Sequence, residues 1–358
     1  MRRFAAAAAL RLPRSPTLCK IARRRAACDR LGFRASAMHQ VVKRVNRSLI
    51  SVASLFLPQE KSRELERLRR GKEEYRRLQL ADYVFVSFGK SGRTWLRVML
   101  SRYYQLAHGA PERSILRFDN YYNINPAVPR IFFTHGNYVR DYTGHHDTKQ
   151  DFYDKSVILL VRRPQDVAVS QYFQWKYRMP ARKKGLNQYP AHGADVSLYE
   201  FVLHPRVGLP GIVAFMNGWA DELPKLRDHL VLRYEDMHAD PALNLRRLVD
   251  FLGMRPEDAW VDEAVRFASA DNLRELERRR FFRGSGIRMR ARDRRNPDSY
   301  KVRRAKVGGY RDYFDDEQLS HIDALVRSSL SPIFGYDEAD AALAAGLGSG
   351  QPAQQPSG

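Results

Sequence analysis

The chain has 358 residues, enough for one large domain or two ordinary ones, and its hydrophobic content of 44% is enough for a sizeable core. Its 62 lysines and arginines outnumber its 40 acidic residues, which gives a formal net charge of +22 at pH 7. The only cysteines are Cys19 and Cys28. This excludes a disulfide framework or a cysteine-based zinc site and fits a cytoplasmic location.

Residues 1–47 form a basic N-terminal extension. They hold thirteen lysines and arginines against one acid, Asp29, so more than half of the excess charge lies there. We predict that this extension is disordered, or that 1–37 is mis-assigned and translation starts at Met38. Nucleic acid or an anionic membrane could attract such a stretch. Aromatic residues that would stack on bases are sparse in it, so a nucleic-acid partner is not expected.

Residues 48–79 are predicted to form an N-terminal helical segment. The stretch 48–57 is apolar, but about ten residues are too few to span a bilayer. It could touch a membrane as a helix, although packing on the main domain is favoured, and no stable membrane insertion is expected. The charged stretch 60–79 predicts an exposed helix supported by (i, i+4) ion pairs.

The first chemical motif is a strand, a tight turn and a helix. Residues 83–88 predict a strand, 89–92 read Gly-Lys-Ser-Gly, and an amphipathic helix pattern begins near Thr94. Such a turn directs backbone N–H groups and the positive end of the helix dipole to one point. Lys90 and Ser91 add a cation and a hydroxyl there. The segment therefore predicts a phosphate or sulfate site.

Two alternatives to this interpretation remain open. The nucleotide-hydrolase loop, G-x-x-x-x-G-K-[ST], places its lysine after the last glycine, whereas Lys90 precedes Gly92. A magnesium-dependent kinase or hydrolase is therefore disfavoured by the residue order. The second alternative is a structural turn that binds nothing, because glycine–serine turns are common between strands and helices.

A second strand–turn–helix unit follows. The apolar run 157–161 predicts a buried parallel strand, Arg162 and Arg163 stand at its carboxyl end, and Pro164 suits the first position of a helix. Ser170 lies about two turns into that helix. Open α/β sheets bind ligands at this edge. As an alternative, the two arginines could be solvated or could pair with structural carboxylates.

Four segments together resemble one family. FGKSGRTW (88–95) is similar to the 5′-phosphosulfate loop, Y-P-K-S-G-T-T-W, of sulfotransferases that use 3′-phosphoadenosine 5′-phosphosulfate (PAPS). RRPQDVAVSQYF (162–173) resembles that family's 3′-phosphate segment, R-N-P-K-D-V-A-V-S-x-Y. VLRYEDM (231–237) resembles its strand ending in Y-E-D, and VRRAKVGGYRDYF (302–314) its R-K-G-x-x-G-x-W-K-x-x-F closing segment. The order is that of the family, and the resemblance is to its soluble, small-molecule branch.

The resemblance and the interleaving of the motifs imply one fold. We expect a single P-loop-like α/β domain over 80–336, in which helices flank a central, mostly parallel sheet. The tail at 337–358 turns to alanine, glycine, glutamine and proline, which predicts disorder.

The resemblance also assigns a site for PAPS that needs no metal. Lys90 would bind the bridging oxygen, Arg162 and Ser170 the 3′-phosphate, and Tyr234 and Ser269 the adenine. Arg303 and Arg304 would fold over the 3′-phosphate from a late loop. The implied cofactor-binding residues are Lys90, Ser91, Gly92, Arg93, Thr94, Trp95, Arg162, Ser170, Tyr234, Ser269, Arg303 and Arg304.

The catalytic base is expected at the end of a third strand. The run 131–134 predicts that strand, and His135 follows it at the position of the histidine in the family's K-T-H segment. Histidine suits proton removal from an attacking hydroxyl because its pKa lies near neutrality. The implied catalytic set is His135, Lys90 and Ser170, with Ser170 also restraining Lys90. His145 and His146, in a polar loop, are the rival pair.

The resemblance therefore implies sulfonate transfer from PAPS to a hydroxyl, rather than an amine, of a small molecule. Departures from the family pattern matter. Phe133 replaces a lysine near the sulfonate, and Arg93 could restore that charge. Ala305 replaces a glycine of the closing segment, which puts its backbone geometry in question. At 315–316, two aspartates replace the Thr-Val pair of the family's dimer motif, so a monomer or weak dimer is expected.

The acceptor is not identified by the sequence. Tyr121 and Tyr122 could line a pocket for flat alcohols or could pack within their own loop. Residues 175–195 predict a mobile loop on the acceptor side. The basic run 278–311 overlaps the closing segment and could attract the polyanionic PAPS, although 288–295 could equally be a solvated loop.

Overall fold

The computed structural model describes residues 58–109, 122, 125–282, 289, 292–293 and 295–336. The chain divides into two units between Glu64 and Leu65, and the sheet and cavity discussed below belong to the second unit. The predictions for 1–47, 48–57 and 337–358 lie outside the described residues.

The described part of the chain contains four strands and twelve α-helices. The strands are β1 (Tyr83–Ser87), β2 (Ile131–Thr134), β3 (Ser156–Val161) and β4 (Asp228–Arg233). The helices are α1 (Gln59–Gln79), α2 (Arg93–His108), α3 (Val139–Thr143), α4 (Pro164–Tyr177), α5 (Ala181–Leu186), α6 (Leu198–Leu203), α7 (Leu209–Ala220), α8 (Tyr234–Ala239), α9 (Pro241–Phe251), α10 (Asp258–Phe267), α11 (Ala270–Arg278) and α12 (Asp316–Ser329).

The four strands form one parallel sheet in the order β2-β1-β3-β4. Tyr83 of β1 pairs with Ile131 of β2 and with Ser156 of β3, so the strands start nearly level. Level parallel strands bring their carboxyl ends to one edge of the sheet. The predicted α/β fold with a parallel sheet flanked by helices is confirmed.

Strand β3 shows why the sheet is buried on both faces. All six of its residues are buried. Val157 and Leu159 pack into one apolar layer, whereas Ile158 and Leu160 pack into the other. Because successive side chains of a strand point to opposite faces, a continuous apolar run requires helices on both sides.

The helices that leave the sheet begin close to their predicted starts. Pro164 is the first residue of α4, where its missing N–H costs no hydrogen bond. Helix α2 starts at Arg93, one residue before the predicted position. Helix α9 ends at Phe251, and Gly253 follows with a φ of +76°, a left-handed value that suits glycine.

Two local predictions need correction. Helix α1 is not exposed on all sides, because Gly71 is buried; a Cβ built there would lie 2.2 Å from the Tyr138 carbonyl oxygen. The predicted (i, i+4) pairs are present, as between Glu66 and Arg70 at 2.8 Å. Residues 175–195 are not one loop, since they contain the end of α4 and all of α5.

Within the described ranges, no helix is both long and apolar enough to cross a bilayer.

Candidate active site

The carboxyl edge of the sheet opens onto a cavity of about 810 Å³. This volume lies in the upper part of the range of about 300–1,000 Å³ that is usual for small-ligand pockets. Eleven of the thirteen residues that were predicted as catalytic or cofactor-binding line it. They are Lys90, Gly92, Arg93, Thr94, Trp95, His135, Arg162, Ser170, Tyr234, Arg303 and Arg304.

The turn between β1 and α2 is built for close approach. Gly92 has a φ of +94°, and a Cβ there would lie 2.6 Å from Cδ2 of Tyr234. Lys90 also has a positive φ, +77°, which is uncommon for a residue with a side chain and typical of functional turns. The glycine therefore lets the ring of Tyr234 pack directly on the start of α2.

Arg162, at the end of β3, joins the predicted phosphate segments. Its Nη1 donates to the carbonyl oxygen of Lys90 at 3.3 Å, and its Nη2 donates to that of Lys306 at 3.2 Å. The guanidinium carbon lies 4.1 Å from the ring centroid of Tyr234. One arginine thus contacts the turn after β1, the closing segment and the ring at the start of α8.

The closing segment is held by α4. Asp166 accepts hydrogen bonds from the backbone N–H of Gly308 at 2.8 Å and of Tyr310 at 3.0 Å. Ala305 has a φ of +54°, so it keeps the left-handed backbone for which glycine is usual. The closing segment is therefore anchored to the same helix that carries Ser170.

Arg303 and Arg304 have partners within the closing region. The guanidinium carbon of Arg303 lies 3.7 Å from the ring centroid of Phe173. Nη1 of Arg304 lies 2.8 Å from a carboxylate oxygen of Asp312. Both side chains line the cavity as well.

Aromatic side chains form the wall beside the turn. Trp95 donates from Nε1 to the carbonyl oxygen of Ala268 at 2.9 Å, and its ring meets Tyr234 edge-on at 5.7 Å between centroids. Ser269 does not line the cavity. Its hydroxyl accepts a hydrogen bond from Asn272 N and caps α11. Ser91 is buried and is also absent from the cavity wall.

His135 is held in a defined tautomer. Its Nδ1 lies 2.7 Å from the carbonyl oxygen of Ser87, which can only accept, so Nδ1 carries the proton. Its Nε2 lies 2.6 Å from Nη2 of Arg93 and accepts from it. Arg93 also donates to the carbonyl oxygen of Thr134. Burial, reinforced by the charge of Arg93, lowers the pKa of His135 well below its usual 6.5.

The rival histidines lie elsewhere. His145 bonds through Nδ1 to Asp151 at 3.0 Å, and neither it nor His146 lines the cavity. Tyr122 packs its ring against the guanidinium of Arg130 at 4.0 Å and does not line the cavity either. Tyr121 lies outside the described residues.

Six further cations that line the cavity were not singled out from the sequence: Arg97, Arg178, Lys183, Arg292, Lys301 and Lys306. Arg178 and Lys183 come from the segment that ends α4 and forms α5, and Lys301 precedes the closing segment by one residue. Burial, with repulsion from Arg178 and neighbouring cations, lowers the pKa of Lys301 to about 7. Burial and repulsion from Lys301 also lower the pKa of Lys90 well below 10.5.

The residues present fit a polyanionic nucleotide. Among the described residues that line the cavity, eleven are lysines or arginines and only two, Asp166 and Asp298, are acids. No described residue forms a hydrogen bond or ion pair with the ammonium of Lys90. Buried like charges are unfavourable unless a ligand of opposite charge neutralises them. The helix start and the loop glycine add room and N–H donors for a phosphate.

A parallel sheet with a phosphate-type turn, a cationic cavity and flanking helices defines an α/β protein with a candidate site for an anionic ligand. The family model described as the sulfotransferase domain matches residues 80–334. The chain therefore belongs to the sulfotransferase family.

Characterised relatives are distant. The chain is 24% identical to cytosolic sulfotransferase 10 of Arabidopsis thaliana over 285 residues, which is 70% of this chain and 79% of that protein. It is 23% identical to 3-alpha-hydroxysteroid sulfotransferase of Cavia porcellus over 282 residues, 72% of this chain and 88% of that protein. The match to flavonol 4'-sulfotransferase of Flaveria chlorifolia is 29% identical over 118 residues, 32% of this chain and 35% of that protein.

Solved structures similar to this chain include mouse sulfotransferase SULT7A1 complexed with PAP. That match has 19% identity and a TM-score of 0.44, and it covers 70% of this chain and 84% of that one. Retinol dehydratase in complex with androsterone and inactive cofactor PAP has 17% identity and a TM-score of 0.47. It covers 69% of this chain and 80% of that one.

Proposed function

We propose that this protein transfers a sulfonate group from PAPS to a hydroxyl group of a small molecule, rather than to an amine. The observation that carries the proposal is that Lys90, Arg162 and His135, from three different strand ends, line one cavity. Family membership supports sulfonate transfer, and the cationic lining supports a polyanionic donor.

PAPS supplies the activated sulfonate and leaves as 3′-phosphoadenosine 5′-phosphate (PAP). Nε2 of His135 takes the hydroxyl proton as the acceptor oxygen forms its bond to sulfur and the bond from sulfur to the bridging oxygen breaks. Lys90 stabilises the negative charge that grows on that bridging oxygen. The depressed pKa of His135 keeps the imidazole neutral, as a proton acceptor must be.

Arg93 has two roles in this scheme, binding His135 and binding the sulfonate, and it cannot fill both at once. In the structure it donates to Nε2 of His135, the atom that must accept the proton. We infer that Arg93 turns to the sulfonate when PAPS binds, which frees Nε2 and supplies a cation that Phe133 cannot. The side chain leaves the first residue of α2 and lines the same cavity as Lys90.

The remaining cofactor contacts follow from the same cavity. Arg162, Ser170 and Arg304 would bind the 3′-phosphate, and the edge-on pair of Trp95 and Tyr234 would hold the adenine. Asp166 would keep the closing segment over the nucleotide. We further propose that no metal takes part, because cations and N–H donors meet the charge of the phosphates.

The proposed setting is the cytoplasm, with the protein acting as a monomer or weak dimer. The relative named cytosolic sulfotransferase 10 supports that location. Asp315 has a local role, because it caps α12 by accepting from Gln318 N at 2.9 Å. This role explains an aspartate at that position without a dimer contact.

The test is calorimetric titration of the purified protein with PAP, AMP and ATP, with and without Mg²⁺. We expect PAP to bind at least tenfold more tightly than AMP without metal, which is about 1.4 kcal/mol. Arg162→Ala should abolish that preference. Arg246→Ala, which removes an exposed arginine paired with Asp258, should keep it.

Two outcomes would contradict the proposal. Tighter binding of ATP with Mg²⁺ than of PAP would indicate a kinase or hydrolase. Equal affinities for PAP and AMP would show that the protein has no binding site for the 3′-phosphate. Transfer of radiolabelled sulfonate from PAPS to an acceptor panel, and its loss in His135→Asn, tests the chemical step itself.

A further inference from the structure

The cavity holds more positive charge than the proposed donor needs. PAPS carries about four negative charges, since a phosphate group contributes up to about two. Eleven described lysines and arginines line the cavity against two acids, Asp166 and Asp298, and two further carboxylates, Glu277 and Asp312, pair with Arg178 and Arg304, so positive charge remains in excess. Of these eleven, Arg178, Lys183 and Lys301 are here called the acceptor-side cations.

A buried carboxylate fixes two of these cations side by side. Glu277 of α11 accepts from the backbone N–H of Lys301 at 2.8 and 3.0 Å and from that of Val302 at 3.2 Å. Its carboxylate also lies 3.6 Å from Nη1 of Arg178, and both side chains are almost wholly buried. The position of Lys301 is therefore set by the protein and is not that of a loosely held surface lysine.

Glu277 neutralises Arg178 but leaves the Lys301 ammonium without a direct partner. Arg178 also donates to the carbonyl oxygen of Ser299, which ties it to the same segment. Among the residues that the structure describes, none forms a hydrogen bond or ion pair with Nζ of Lys301. The buried carboxylate of Glu277 therefore binds the backbone of this segment and Arg178, whereas the side chain of Lys301 lines the cavity.

The acceptor-side cations lie near the proposed base. The charges of Lys183 and Lys301 contribute, after burial and Arg93, to lowering the pKa of His135. Lys183 likewise acts on Lys301. Such effects require proximity, because electrostatic interactions in a protein weaken with distance. Lys183 and Lys301 therefore act on the same cavity as His135, the cavity that an acceptor hydroxyl must enter.

The wall on the side of His135 carries polar side chains as well as the apolar rings of Phe88 and Phe133. Asn137, Asn187 and Tyr189 line it, and Tyr138 behind them donates its hydroxyl proton to Asn187 at 2.9 Å. Pockets for flat neutral alcohols are lined mainly by apolar and aromatic side chains. Lysines and amides here favour an acceptor that brings its own charge and hydrogen-bonding groups.

We propose that the acceptor is a hydroxylated organic anion, and that Lys301 and Lys183 bind its carboxylate, sulfate or phosphate group while its hydroxyl faces His135. This inference rests on the proposed sulfonate transfer and adds the chemical class of the acceptor. The anionic group neutralises the charge that would otherwise repel Lys90. It also orients the hydroxyl, because Glu277 holds the backbone of Lys301 and so limits where the anionic end of the bound molecule can lie.

The test compares anionic acceptors with neutral acceptors built on the same scaffold. With the full chain and saturating radiolabelled PAPS, kcat/KM is measured for 2-naphthol, 6-hydroxy-2-naphthoate and 6-hydroxy-2-naphthalenesulfonate. The pair 4-nitrophenyl glucoside and 4-nitrophenyl glucuronide repeats the comparison on an aliphatic hydroxyl. We expect the anion to be preferred at least tenfold in one or both scaffolds. The carboxylate and sulfonate arms show which anionic group is bound.

Lys301→Met then tests the residue. It should lower the ratio of kcat/KM for the anion to that for its neutral partner at least fivefold, and taking the ratio cancels any effect on PAPS. Lys72→Met, which removes an exposed lysine of α1 outside the cavity, should leave the ratio unchanged. Added salt should reduce the preference of the unaltered protein.

The outcomes separate this inference from the proposed function. If PAP binds tightly and neutral acceptors are sulfonated as well as or better than anions, the function stands and the anionic acceptor is refuted. An unchanged ratio in Lys301→Met refutes the role of that residue. If PAP does not bind and no acceptor is sulfonated, the proposed function fails and the inference fails with it.

Discussion

Replacing Gly92 by alanine is expected to weaken nucleotide binding through the ring of Tyr234. The new Cβ would lie 2.6 Å from Cδ2 and 3.0 Å from Cε2 of that ring, whereas carbon atoms in ordinary contact are about 3.5–4.0 Å apart. The ring must therefore move by roughly 1 Å. Because the Arg162 guanidinium lies 4.1 Å from the ring centroid, the displacement reaches the 3′-phosphate side as well.

We expect Gly92→Ala to lower the affinity for PAP at least tenfold, about 1.4 kcal/mol, in a calorimetric titration. The left-handed φ of +94° should also lower the free energy of unfolding by about 1–2 kcal/mol in urea. Gly193→Ala is the matched control, because Gly193 has a φ of +86° with no atom within 4 Å of its Cβ position. It should lose similar stability and keep its affinity.

The comparison isolates the clash from the backbone strain. Affinity for PAP within twofold of the unaltered protein in Gly92→Ala would refute the proposed place of Tyr234 beside the nucleotide. An equal loss of affinity in Gly193→Ala would show that general destabilisation, and not the ring, is responsible.

Three more predictions concern buried charge. Glu277→Gln should lower the free energy of unfolding by about 2–4 kcal/mol, since it leaves buried Arg178 without a carboxylate, while Glu275→Gln on the exposed face should change it little in the same urea titration. Lys301→Met should raise the free energy of unfolding at pH 7 by about 1–2 kcal/mol, a figure reduced for screening by water. The pKa of Lys301 is lower in the folded protein, about 7, than in the unfolded chain. The increase in the free energy of unfolding caused by Lys301→Met should therefore shrink as pH rises from 7 towards 10.5. No increase at pH 7 would contradict the lowered pKa of Lys301. For His135, kcat/KM for PAPS should stay level as pH falls through 6.5 and decline only lower, where the imidazole protonates; an acid limb at or above 6.5 would contradict the lowered pKa.

The fold was predictable because its signals are local. The apolar run of β3 has no polar residue to place in water, so it had to be a central strand. Pro164 directly after two arginines then marked the start of α4. Helix α1 was harder, because its charged sequence does not show that Gly71 permits close contact with Tyr138. A glycine inside a charged helix was the available signal.

The candidate site was predictable only where residues sit in motifs. Lys90 and Arg162 were expected from two strand–turn–helix motifs and Arg303 from the resemblance to the family's closing segment, and each lines the cavity. Arg178 and Lys301 are 123 positions apart in the sequence, and buried Glu277 brings them together only in the folded chain. No periodicity marks such a triad. Ser269 is the opposite case: the resemblance implied a contact with adenine, but in the structure this serine caps α11.

Phe133 stands where the family pattern has a lysine, and other cations lie near that position in this chain. The guanidinium of Arg97 lies 4.4 Å from the ring centroid of Phe133, so the ring contacts a cation although it cannot supply one. Arg93 brings a second cation to Nε2 of His135. Lys301 brings a third to the same cavity. A single lysine beside the sulfonate would serve any alcohol equally, whereas several cations in the cavity distinguish acceptors by their own charge. The departure at Phe133 and the proposed anionic acceptor therefore have one physical explanation.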